Sequence, residues 1–139
     1  MRSIGRSAFS DTPLRSAHFL GTTARELRIR EPSPGHFSDK AEEGCSSNEQ
    51  TVIGEKAFAN CKGLEQVIFD PDSAVTEIQC KAFWDSGLKT FAAPPSLRKI
   101  CTLAFRECRC LETFELNEDI QELGWLCLWC TGITDLRLP

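Results

Sequence analysis

The residues best suited to chemistry in this chain are its cysteines. Cys127-Leu-Trp-Cys130 is a C-x-x-C pair, and Cys108-Arg-Cys110 lies about twenty residues before it. Four thiolates brought together could hold zinc in a closed tetrahedral site, and a C-x-x-C alone could run thiol–disulfide exchange. Neither chemistry finds its usual surroundings. The flanks of the pair do not resemble a zinc ribbon, and a redox thiol wants a helix N-terminus in a βαβ unit. A small zinc or redox protein using these cysteines therefore stands only as a second alternative function, and no metal site or cofactor is expected.

The two histidines, His18 and His36, offer less. Neither has a Ser, Cys or Asp at a recognisable catalytic spacing, and the chain carries no glycine-rich phosphate loop. No catalytic residue is expected, and the chain reads as a non-enzyme.

The elements that must position these residues come from an internal repeat. Ala-Phe occurs at Ala8-Phe9, Ala57-Phe58, Ala82-Phe83 and Ala104-Phe105, each time with Ile four residues before the Ala. Aligned on that position, units begin at Ile4, Ile53, Ile78, Ile100 and Leu123, where Cys127-Leu128 stands in for Ala-Phe. Further apolar columns follow: Leu14, Leu64, Leu88, Leu111 and Ile133, then Ala17, Val67, Phe91, Phe114 and Leu136. The last column is Phe19, Phe69, Ala93, Leu116 and Leu138. All but Phe37 of the nine Phe residues fall in these columns.

From Ile53 through Ile78 and Ile100 to Leu123 the steps are 25, 22 and 23 residues, whereas Ile4 and Ile53 are 49 apart. That gap leaves room for one further unit, whose opening Ala24-Arg-Glu-Leu27 parallels Val75-Thr-Glu-Ile78 and Leu97-Arg-Lys-Ile100. The domain reading is therefore an N-terminal repeat and the start of a second over 1–27. A degenerate repeat or mobile excursion follows over 28–50, where Pro, Gly, Ser and Glu replace the columns, and four stacked repeats occupy 51–139.

Each unit changes period internally. Leu111-Glu-Thr-Phe-Glu-Leu116 alternates as a strand with one face inward, whereas Ile100 to Cys108 spaces its apolar residues as one or two helical turns would. A unit this small cannot bury its own apolar face and must stack on its neighbours. The expectation is an α/β solenoid with a short parallel β-sheet on one face and short helical turns on the other. Cys61 and Cys108 fall in one column two units apart, about 10 Å at ordinary strand spacing. A disulfide needs Cα atoms within about 7 Å, so these read as buried thiols. The residue after each Phe places Arg106 between Trp84 and Trp129, which predicts guanidinium–indole stacking on the helical side.

The pattern I-G-x-x-A-F-x-x-C-x-x-L-x-x-V-x-F-x-P resembles the BspA-like leucine-rich repeat. Pro71-Asp-Ser-Ala-Val-Thr-Glu-Ile78 is close to that family's inter-repeat link, and the shorter Ser86-Gly-Leu88 and Thr131-Gly-Ile133 resemble its known variant. The resemblance covers residues 1–27 and 52–139. It implies a protein-interaction scaffold, often on the surface of bacteria or protists, without a catalytic site.

Function is thus expected on the strand face. Its outward residues would be Gln66, Ile68, Thr90, Ala92, Thr113, Glu115, Asp135 and Arg137, which suit a protein partner better than a phosphate or a sugar acid. The alternative is a structural spacer or a fragment of a longer surface-protein array. With 139 residues, 41% hydrophobic and 26% charged, the chain has the composition of one ordinary globular domain. A net charge of −4 argues against nucleic acid. The longest apolar run, Leu123 to Cys130, cannot span a bilayer, and the N-terminus lacks the apolar core of a secretory signal. As written the chain is expected in the cytoplasm, or at the cell surface if it is part of a family-typical parent. It stops at Pro139, on a unit boundary and without a polar cap, which predicts truncation or self-association through the ends.

Overall fold

The computed structural model describes residues 3–19, 27–30 and 51–139. Within them the chain winds through about four full turns of a β-solenoid, with strands numbered in chain order. One sheet runs β1 (Ser3–Ile4), β4 (Thr51–Ile53), β6 (Val75–Ile78), β8 (Lys99–Ile100) and β10 (Glu122–Leu123), all parallel. The other runs β11 (Asp135–Arg137), β9 (Thr113–Glu115), β7 (Thr90–Ala92), β5 (Gln66–Phe69), β2 (Ser16–Phe19) and β3 (Leu27–Arg30). It is parallel except for β2 and β3, which are antiparallel.

Ile4 pairs directly with Ile53, so the 48 residues between them place no strand between β1 and β4. Leu27 does not open a unit in the first sheet; it begins β3 and pairs with Phe19 on the outer edge of the second. The rest of the expected extra unit, residues 20–26 and 31–50, lies outside the described residues.

The repeat columns make the core. Ile53, Ile78 and Ile100 are fully buried, as are Phe58, Phe83 and Phe105 and the leucines Leu14, Leu64, Leu88 and Leu111. The Phe column is a stack: Phe9–Phe58, Phe58–Phe83 and Phe83–Phe105 have ring centroids 5.3, 5.2 and 5.1 Å apart and interplanar angles of 18°, 2° and 6°. Phe91 packs against both Phe105 and Phe114, at 4.7 and 5.1 Å. Such pairs contribute roughly 0.5–1.5 kcal/mol each beyond their burial.

The expected helical turns are not formed, and the described residues contain no helix. Each Ile-to-Cys segment is instead a run of turns whose N–H groups point alternately within the coil and along the stack. Ala82, Trp84 and Ser86 donate to Gln79, Lys81 and Phe83 of their own coil. Lys81, Phe83 and Asp85 donate to Thr102, Ala104 and Arg106 of the next. This alternation requires positive φ at two positions per coil, for example Lys81 and Asp85 at 58° and 52° and Leu103 and Glu107 at 62° and 63°. A helix would keep every N–H within its own coil and needs negative φ throughout. The apolar spacing that imitated a helix is the spacing of a corner that turns one residue in each group inward.

Candidate functional site

In the second sheet, alternation along each strand sends Val67, Phe91 and Phe114 into the core and their neighbours outward. All eight sequence-predicted face residues lie on the outward side of this sheet. Parallel pairing draws them into two ladders: Gln66, Thr90, Thr113 and Asp135 in register, with Ala92, Glu115 and Arg137 beside them. Among the described residues of this face, Ile68, in β5, is the one large apolar side chain and is 39% exposed.

Charges along the ladders partly cancel. Lys89 Nζ sits 3.3 Å from Glu65 Oε2 at the base of the sheet. Arg137 Nη1 approaches Glu115 Oε2 at 3.8 Å, and its Nε lies 3.0 Å from Asp135 Oδ2. These pairs are well exposed and contribute at most about 1 kcal/mol each. Their effect is to leave the threonines at the centre of the face flanked by paired charges. His18 belongs to β2, but its side chain lies outside the described residues, as does His36.

The first sheet carries a second, partly exposed ladder, Glu77, Lys99 and Glu122, in register. Lys99 Nζ is 3.1 Å from Glu122 Oε2, and that carboxylate holds the lysine above its ordinary pKa. Sequence reasoning foresaw a single sheet. The signal for this one was the recurring polar-charged-apolar triplet Thr76-Glu-Ile78, Arg98-Lys-Ile100 and Gln121-Glu-Leu123, too short to show alternation.

The seven described cysteines are all free thiols. Cys61 and Cys108 are buried and donate to carbonyls one coil earlier, Cys61 to Phe9 and Cys108 to Phe83, both at 2.9 Å. Burial pushes both thiols up, Cys108 to about 11. Cys127 lies in the core column where it was expected, also pushed up by burial, while Cys130 of the same C-x-x-C is exposed at a turn with φ 58°. Among the described residues no three His, Cys, Asp or Glu side chains stand together as a metal site.

The turn side of the stack places Arg106 on only one of its two expected tryptophans. Its guanidinium carbon lies 4.6 Å from the centre of the Trp129 ring, whereas Trp84 is approached by Lys81 Nζ at 5.9 Å. Arg106 Nε also lies 3.2 Å from Glu107 Oε1, close enough for ionic attraction but not aligned as a hydrogen bond. No helix of the described residues is long and apolar enough to cross a membrane.

Comparison with known proteins adds one finding. The family model of the BspA type leucine rich repeat region matches residues 38–139, in six copies. No curated protein and no solved structure matches the chain.

Proposed function

Because the chain belongs to the BspA-type leucine-rich repeat family, we propose that it is a non-catalytic binding module that takes a protein partner on the outward face of its six-stranded sheet. The observation that carries this reading is the alignment of Gln66, Thr90, Thr113 and Asp135 on consecutive parallel strands, backed by a fully packed core. A rigid, in-register row of small polar groups offers a flat surface whose shape is set before the partner arrives, so little ordering cost falls on this side of the interface. The central threonines and the 39%-exposed Ile68 can be desolvated cheaply, while Glu65, Lys89, Glu115 and Arg137 form a charged rim.

Capture experiments on immobilised protein test this. A Thr90→Arg, Thr113→Arg, Glu115→Arg triple variant is expected to lose a partner that the wild type and a Glu77→Arg, Lys99→Glu variant of the opposite sheet both retain. Equal retention by the two variants, each shown to be folded by its far-UV spectrum, would overturn the assignment of the face. The structural-spacer reading draws on the self-pairing of the face charges, in which Lys89 faces Glu65 and Arg137 is shared between Glu115 and Asp135, leaving little unmatched charge to recruit a partner. It expects neither variant to change any association.

A further inference from the structure

The position after each unit-opening Ile or Leu is a column of its own: Gly5, Gly54, Gln79, Cys101 and Gly124. A side chain here aims back along the stack. A Cβ on Gly54 would stand 2.3 Å from the Ile4 carbonyl oxygen, and one on Gly124 2.2 Å from the Thr102 nitrogen, each in the coil before. The two side chains that the column does carry reach the same way. Gln79 Oε1 accepts the Glu55 N–H at 3.2 Å, and the Cys101 thiol donates to Glu77 Oε1 at 3.3 Å.

Glu55 and Cys80 are equivalent residues, two beyond Ile53 and Ile78, so Cys80 stands beside Cys101 as Glu55 stands beside Gln79. With Ile78 paired to Ile100, the residue level with Cys101 is Gln79, and Cys80 is the next along. A strand spacing of roughly 4.8 Å and a rise of about 3.3 Å per residue then set the two cysteine Cα atoms about 6 Å apart. A disulfide spans Cα atoms about 4.4–6.8 Å apart. Access divides the pair: Cys80 is exposed and Cys101 half-buried. Burial, then the Glu77 carboxylate and then Cys80 itself push the Cys101 thiol up to about 12, so it stays protonated while Cys80 meets solvent.

We propose that Cys80 and Cys101 form an oxidation site for hydrogen peroxide, closing to a reversible disulfide that staples two adjacent coils. The Cys80 thiolate attacks one peroxide oxygen and the O–O bond breaks. Cys80 becomes a sulfenic acid, and the other oxygen leaves with a proton as water. The Cys101 sulfur then attacks the Cys80 sulfur; the S–S bond forms, the S–O bond breaks, and the departing hydroxide takes the Cys101 proton as a second water. The two thiols give up two electrons and the peroxide accepts them. A thiol reductant reopens the bond by exchange. The disulfide closes a loop of one coil, which removes freedom from the unfolded chain while asking little movement of the folded one.

The test takes the reduced 139-residue chain, treats it with stoichiometric hydrogen peroxide and maps its tryptic peptides without reductant. Residues 63–81 and 100–106, which hold no cysteine besides Cys80 and Cys101, are expected to appear joined, and to separate after dithiothreitol. The oxidised protein is expected to unfold at a higher urea concentration than the reduced one. Cys101→Ser is expected to stop at the Cys80 sulfenic acid, trapped by dimedone, with no rise in the urea midpoint. Cys80→Ser is expected to give neither the joined peptides nor the rise. Cys80 bonded mainly to Cys110, to Cys130 or to a second chain would overturn the proposal. So would Cys80 carried on to its sulfinic acid with no joined peptides, or a joined protein no more stable than the reduced one.

Discussion

The thiol of Cys108 lies 2.9 Å from the carbonyl oxygen of Phe83, one coil earlier in the stack, and donates to it. The same carbonyl also accepts from Ser86 N–H, and Ser86 Oγ lies 3.3 Å from the Cys108 sulfur. A side-chain donor in this column therefore ties adjacent coils together at a corner with no room for water. Cys108→Ala removes one buried hydrogen bond and the volume of the sulfur, and should lower stability by about 1–2 kcal/mol. Cys108→Ser, which keeps the donor as Ser86 does, should cost less than half as much. Urea denaturation of the three proteins checks the order.

Alkali should unfold this protein through its thiols. Burial pushes Cys108 up to about 11, and burial together with the Glu77 carboxylate pushes Cys101 up to about 12, from an ordinary 9.0. Between those values the folded state holds protons that the unfolded state has released. The stability from these groups is full below pH 9 and is lost as pH rises through 11 and 12. Urea midpoints measured at pH 8, 9.5 and 10.5 should fall in that order, with a shallower fall for Cys108→Ser. Over the same range an alkylating reagent should modify the exposed Cys80, Cys110 and Cys130 well before Cys61 or Cys108.

Arg106 and Arg109 sit three residues apart, yet only Arg106 covers an indole ring, that of Trp129. Arg106→Ala should cost roughly 0.5–2 kcal/mol and Arg109→Ala less than about 0.5 kcal/mol. Thermal melts that shift equally for the two variants would remove the stacking from the account.

Gly87 closes the short corner of its coil against the backbone of the coil before it. A Cβ there would stand 2.1 Å from the Lys62 carbonyl oxygen and 2.9 Å from its carbon, where no side chain can move aside. At Gly5 a Cβ would meet nothing within 4 Å. Gly87→Ala should therefore destabilise by about 2–3 kcal/mol and Gly5→Ala by less than about 1 kcal/mol. Denaturant midpoints of the two variants check the contrast.

The core was legible because burial repeats: a column of Ile, Phe and Leu at fixed steps can only be the inside of a stack. The outward face was legible for the same reason, since alternation around Phe91 and Phe114 leaves Thr90, Ala92, Thr113 and Glu115 no other side. The turns were not. They depend on positive φ in two columns. Ser7, Lys56, Lys81, Leu103 and Leu126 share no residue type that favours such a backbone. In the second column Asp11, Asn60 and Asp85 do favour it, but Glu107 and Cys130 break the pattern. Their conformation is imposed by hydrogen bonds to the next coil, which no single unit's sequence contains. Leu27 misled for a related reason. Its motif matched the opening of a unit, but pairing is decided by which edge is free, and it joined the outer edge of β2.

The alternation of N–H groups at the corners has a mechanical consequence. Both sheets and the turn segments send their inter-coil hydrogen bonds along one direction, the axis of the stack. Tension applied to the two ends of the chain therefore loads the outermost coil first, one bond after another, like the teeth of a zipper. Compression along that axis meets instead the stacked rings of Phe9, Phe58, Phe83 and Phe105. A molecule built this way yields in steps of one coil when stretched and resists as a whole when squeezed, a directional stiffness that a globular core of the same composition would not have.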